Sequence, residues 1–271
     1  MKKILLLSVC LFVCWALFAQ QRIKVACVGN SITYGTGLAD RATQSYPVQL
    51  QKLLGEHYEV ENFGKPGATL LNQGHRPYTR QEEYRKALDF AGDIVVIHLG
   101  INDTDPRDWP NYRDSFVTDY LNLMDTFRKA NPDVRIIIAR MTPIADRHNR
   151  FLSGTRDWHG EMQTAIETVA HYAGVQLIDF REPLYPYPFL LPDAVHPTAE
   201  GAAIMARTVY SAITGDYGGL KLSPLYMDNM VLQRDTPLLI HGTANAGEQV
   251  TVRIDHQQWI TKAALDGKWS V

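Results

Sequence analysis

Five short apolar runs, at 23–28, 60–63, 94–99, 134–139 and 175–178, alternate with longer amphipathic stretches, and this alternation is what most restricts the fold. Each run is almost continuously apolar, which suits strands covered on both faces, as in a parallel sheet. Between the third and fourth runs Tyr112, Phe116, Tyr120, Met124 and Phe127 recur at spacings of three and four. That periodicity predicts a helix laying one stripe on the sheet. Five strand–helix alternations predict a doubly wound α/β domain with a five-stranded parallel sheet.

After Gly219 the pattern changes. Val250, Val252 and Ile254 alternate with Thr251, Arg253 and Asp255, the period of a half-buried strand. Asp266-Gly267 between two strand-like runs is a hairpin turn signal. Roughly fifty residues with about four strands make a poor independent core, so this part reads as an incomplete β-sandwich segment. At the other end, Lys2 and Lys3 precede an apolar run at 4–18, and Ala19 offers a small residue for cleavage. The run is too short for a membrane span, and the arrangement predicts a signal peptide over 1–19 and a periplasmic or secreted protein. Beyond it Cys27 is the only cysteine, set inside an apolar run, and is expected to behave as a small core hydrophobe. The formal net charge of −2 provides no basic excess for nucleic-acid binding, and no stable membrane insertion is expected once the signal is removed.

In a doubly wound sheet ligands gather at the carboxyl ends of the strands, so the residues that follow each run carry the chemistry. The first run leads into Gly29-Asn30-Ser31, the second into Gly64-Lys65-Pro66-Gly67, and the third into Gly100-Ile101-Asn102-Asp103. Beyond the fifth comes Asp193-Ala194-Val195-His196-Pro197. A hydroxyl, glycine turns, a carboxamide and an Asp/His pair are thereby predicted to meet on one rim. Each has a plain structural alternative: Ser31 and Asp193 as helix caps, Gly67 and Asn102 as turn residues, His196 as a packing residue. His98, at the end of the third run, is expected to pack rather than to face the site.

These blocks resemble the SGNH/GDSL hydrolase family over roughly residues 24–213. The resemblance implies a flavodoxin-like parallel sheet and a catalytic triad of Ser31, His196 and Asp193. It also implies an oxyanion hole formed by the Ser31 and Gly67 N–H groups and the Asn102 amide. Ser31 would be the nucleophile, His196 its base, and Asp193 the group that orients the imidazole. Asn30 departs from the aspartate usual in the family, at a position outside the triad. The domain is expected to span 20–215, with 216–271 starting a second unit. No Gly-x-Ser-x-Gly elbow, dinucleotide fingerprint, Walker A sequence or metal-ligand spacing is present, so no cofactor or metal is implied.

In the tail, Leu222-Ser223-Pro224-Leu225, the run from Met227 to Arg234, and Gly267-Lys268-Trp269-Ser270 resemble the opening β-region of sialate O-acetylesterases. Together the resemblances imply a serine esterase removing O-acetyl groups from carbohydrates, with sialic acid first and acetyl-xylan second. The alternatives are a lipolytic lysophospholipase or arylesterase, and a glycan-binding module on an inactive scaffold.

Overall fold

The computed structural model describes residues 22–149, 154–233 and 235–271. The expected signal peptide and Arg234 of the tail string lie outside the described residues. Strands β1 (Ile23–Gly29), β2 (Tyr58–Gly64), β3 (Ile94–His98), β4 (Arg135–Arg140) and β5 (Gln176–Asp179) form one parallel sheet in the order β2-β1-β3-β4-β5. Val25, Val95 and Ile137 are buried at its centre, where β-branched side chains suit a pleat covered on both faces.

Right-handed crossovers dictate where the helices go. The path from β1 to β2 runs one way across the sheet, and every later crossover runs the other way. Helices α1 (Ser31–Tyr34), α2 (Arg41–Gln44) and α3 (Tyr46–Leu54) precede β2. Helices α4 (Glu82–Phe90), α5 (Trp109–Tyr112), α6 (Phe116–Ala130) and α7 (Thr155–Ala173) belong to the later crossovers. The contacts agree: α3 packs on α8 (Ala199–Thr214), while α6 contacts both α4 and α7. The strand order reverses at β1, between β2 and β3, and a crevice opens there at the carboxyl ends.

The stripe predicted from Tyr112 to Phe127 divides. Phe116, Tyr120, Met124 and Phe127 are buried in α6, but Tyr112 ends the separate short helix α5, and a 3₁₀ turn at Arg113–Ser115 comes between. Pro110 near the start of α5 fits the first turn of a new helix.

The tail holds β6 (Lys221–Leu222), β7 (His241–Thr243), β8 (Gln249–Ile254), β9 (Gln257–Lys262) and β10 (Lys268–Ser270). Val250, Ala244, Ala263 and Trp269 make a small core apart from the main one. Asp266-Gly267 does form a turn, closed by Gly267 N–H to Ala264 C=O at 2.9 Å and Ala264 N–H to Lys268 C=O at 2.8 Å. It does not join a hairpin, because β10 pairs with β7 and β9 pairs with β8. The hairpin is β8–β9, and it turns at Asp255, whose φ of 52° is left-handed. Aspartate tolerates that region better than most residues, which permits the turn without a glycine.

Candidate active site

The β1 strand ends where space is tight. A Cβ on Gly29 would lie 2.0 Å from Thr33 Oγ1 and 2.9 Å from the His98 carbonyl, so only glycine fits. Asn30 follows, fully buried, as N-cap of α1. Its Oδ1 accepts from Ile32 N–H at 2.9 Å and its Nδ2 donates to the His98 carbonyl at 3.4 Å. Ser31 is thereby fixed as the first residue of α1, with its backbone N–H on the electropositive end of the turn.

The loop after β5 brings the base to it. Asp193 Oδ1 accepts from Val195 N–H at 3.0 Å and His196 N–H at 2.7 Å, folding the loop back on itself. Ala194 takes a φ of 74° to allow this, and Thr198 then caps α8 through Gly201 N–H. Asp193 Oδ2 lies 2.6 Å from His196 Nδ1, and His196 Nε2 lies 2.9 Å from Ser31 Oγ. A carboxylate only accepts, so Nδ1 carries the proton and Nε2 offers its lone pair to the serine hydroxyl. Burial pushes the Asp193 carboxyl up, but the donors from His196 and Val195 outweigh it and hold the acid below its ordinary range.

Three donors expected from the sequence follow β1, β2 and β3. The N–H groups of Ser31 and Gly67 reach no protein acceptor among the described residues. Gly67 has φ 75°, a backbone conformation that glycine adopts freely. Asn102 donates one amide N–H to the Ala68 carbonyl at 2.9 Å, and its second N–H reaches no protein acceptor among the described residues. The arrangement has the first part needed for acyl transfer, a hydroxyl that can lose its proton to His196.

The structure also brings in residues that sequence reasoning missed. Asp103 is fully buried and accepts from Leu70 N–H at 2.9 Å and Leu71 N–H at 2.7 Å. Burial pushes its carboxyl up to about 8 against the pull of those N–H groups. Asp108, also buried, accepts from His75 N–H at 2.9 Å and meets His75 Nδ1 at 2.6 Å. The segment after β3 therefore grips the loop that carries Gly67. These partners stand 32 and 33 residues apart, so no local spacing in the sequence marks them.

His98 is buried edge-on to Phe180 with ring centroids 5.2 Å apart, and its Nε2 accepts from Thr142 N–H at 3.4 Å. Burial drives its pKa down to about 3, which keeps the ring neutral. Cys27 is fully buried, and desolvation pushes its thiol up to about 12. Among the described residues no group of three or more His, Cys, Asp or Glu side chains is placed to hold a metal ion. No helix among them is long and apolar enough to cross a membrane.

An acetylxylan esterase of Xylanibacter ruminicola is 33% identical over 215 residues, which are 72% of this chain and 44% of that protein. The chain thus spans less than half the length of that curated relative. A crystal structure of an acetyl xylan esterase, AlAXEase, superposes with a TM-score of 0.55 at 22% identity, covering 70% of this chain and all of the other. A carbohydrate esterase family 3 structure from Talaromyces cellulolyticus gives 0.53 at 17% identity, covering 71% and 96%. These likenesses show a shared α/β fold. Residues 27–204 match the GDSL-like lipase/acylhydrolase family, and the chain belongs to it.

Proposed function

We propose that the chain is a serine esterase that removes O-acetyl groups from carbohydrates. The observation that carries this reading is the continuous relay from Asp193 through His196 to Ser31, at 2.6 and 2.9 Å. Ser31 Oγ attacks the acetyl carbonyl as His196 takes its proton. The oxyanion collapses and expels the sugar alcohol, which His196 protonates. Water, deprotonated by the same imidazole, then releases acetate from Ser31. Gly67 and Asn102 complete the oxyanion hole in this account.

The acetylxylan esterase relative supports xylan-type polysaccharides as the substrate, ahead of sialic acid. The sialic-acid reading is supported by the tail string from Met227 onward, which contributes none of the five site residues. Acetate release from a panel of O-acetylated xylans and sialosides separates the two. Nitrophenyl esters test the acyl group: acetate is cleaved best, with a steep fall by butyrate, because a long-chain site would gain about 0.8 kcal/mol per buried CH₂. A preference for octanoate would turn the reading toward lipolysis. Absence of turnover on every ester would favour a glycan-binding role on an inactive scaffold.

A further inference from the structure

A cavity of about 580 Å³ lies beyond the carboxyl ends of β4 and β5, against α7. Two of its walls touch the triad loop. Ala145 donates its N–H to the Ala194 carbonyl at 2.8 Å, and the Leu191 carbonyl accepts from Ala194 N–H at 2.8 Å. Ala194 stands between Asp193 and His196, so the cavity is one loop thickness from the relay.

Its lining is cationic. Among the described residues Arg140, Arg156 and Arg181 line it with one carboxylate, Asp146, and Arg156 also pairs with Asp157 at 3.9 Å. Arg140 is already held by Glu167 and Asp179. Arg181 pairs with no carboxylate among the described residues; its guanidinium lies over the Tyr185 ring, 4.7 Å from the centroid. A planar guanidinium steadied on an aromatic face still presents donors suited to a carboxylate. The same turn carries exposed aromatics. Tyr185 is 62% exposed and Phe189 67%, with Tyr187 packed edge-on to Phe189 at 5.9 Å. Rings that a folded chain leaves in water beside a cavity mark a binding surface, and sugar rings stack on such faces.

We propose that this cavity is a subsite for a carboxylate-bearing sugar. Arg181 binds the carboxylate, Tyr185 stacks on the ring, and Tyr187 and Phe189 support the adjoining residues of the glycan. The assignment rests on the carbohydrate-esterase reading and narrows it. The acetylated residue enters the Ser31 site while an acidic neighbour on the same glycan is held here. A uronic acid branch and a sialic acid both carry the required group.

The test is calorimetric titration of the full chain carrying Ser31→Ala. The ligands are a neutral xylo-oligosaccharide, the same oligosaccharide bearing a glucuronic acid branch, and a sialyl-oligosaccharide. At least one acidic ligand should bind about tenfold more tightly than the neutral one, the scale of a bidentate charge-assisted contact. Which acid binds better identifies the source. Arg181→Ala should bring the acid-to-neutral ratio to about one, a readout that general misfolding would not give because both ligands would then weaken. Tyr185→Ala, on an exposed side chain, should weaken the acidic ligand severalfold. Added salt should reduce the ratio in the unsubstituted site. Equal affinity for acidic and neutral ligands, or an acid preference that survives Arg181→Ala, overturns the proposal. The esterase reading is tested separately by acetate release from acetylated glycans with Ser31 intact.

Discussion

At Asn30 one side chain does two jobs, accepting from Ile32 N–H and donating to the His98 carbonyl. The aspartate usual in the family can do the first and not the second. Asn30→Asp should therefore lower stability by about 1–3 kcal/mol, read as a fall in denaturant midpoint with unchanged slope. No change in midpoint would show that the His98 carbonyl needs no donor. Asn102 donates one amide N–H to the Ala68 carbonyl, and the proposed mechanism gives the second to the oxyanion. Asn102→Ala should lower kcat by about 10²–10³, the usual loss of one oxyanion donor, with little change in KM. A rise in KM alone would make Asn102 a substrate-positioning residue instead.

The elements around the site are held by buried polar groups, and two of them give tests. The turn at Ile101–Thr104 holds the Gly67 loop through Asp103 and its two N–H bonds. Above about pH 8, where the Asp103 carboxyl is ionised, Asp103→Asn places an amide NH₂ against one of those donors and leaves it unpaired, at a cost of about 1–3 kcal/mol. Both the melting temperature and kcat should fall, since Gly67 would no longer be held; a lowered melting temperature with full kcat would contradict the grip. Behind β3 and β4, burial lowers the pKa of His98 to about 3 and of His159 to about 4 from an ordinary 6.5. Both rings are neutral in the fold but take up protons in the unfolded chain below about pH 6.5. The unfolded state then binds more protons, so stability is lost as pH falls from about 6.5 toward 4. Asp103, pushed up to about 8, works the other way over this window and offsets one of the two rings; the melting temperature should still drop, and His98→Gln, which cannot titrate, should show a shallower drop. An identical slope in the variant would contradict the buried neutral ring.

Across the whole molecule, the main core and the tail core are separate clusters, and all five expected site residues lie in the first unit. Removing residues from Lys221 onward should leave the nitrophenyl ester profile unchanged. Loss of acetate turnover would show that the β-segment completes the hydrolase unit. Much of that unit was legible in the sequence. Apolar runs marked the parallel strands because burial on both faces removes polar alternation; Ser31, Gly67 and Asn102 follow β1, β2 and β3 within four residues, whereas Asp193 and His196 come well past the end of β5 at Asp179. The grip of Asp103 and Asp108 was not legible, because it depends on loops that meet only in three dimensions. The break at Arg113–Ser115 was hidden by helical spacing that continues across it. The β8–β9 turn was missed because it uses Asp255 in a left-handed conformation and not a glycine.

The central claim is that Ser31 Oγ, activated by His196, is the nucleophile. Turnover of nitrophenyl acetate by Ser31→Ala, compared with the unsubstituted chain at equal melting temperature, tests it most directly. Turnover should fall to background, because the residual groups can only orient the ester and polarise its carbonyl. Retention of more than about a few percent of the original rate by a folded Ser31→Ala chain would contradict it.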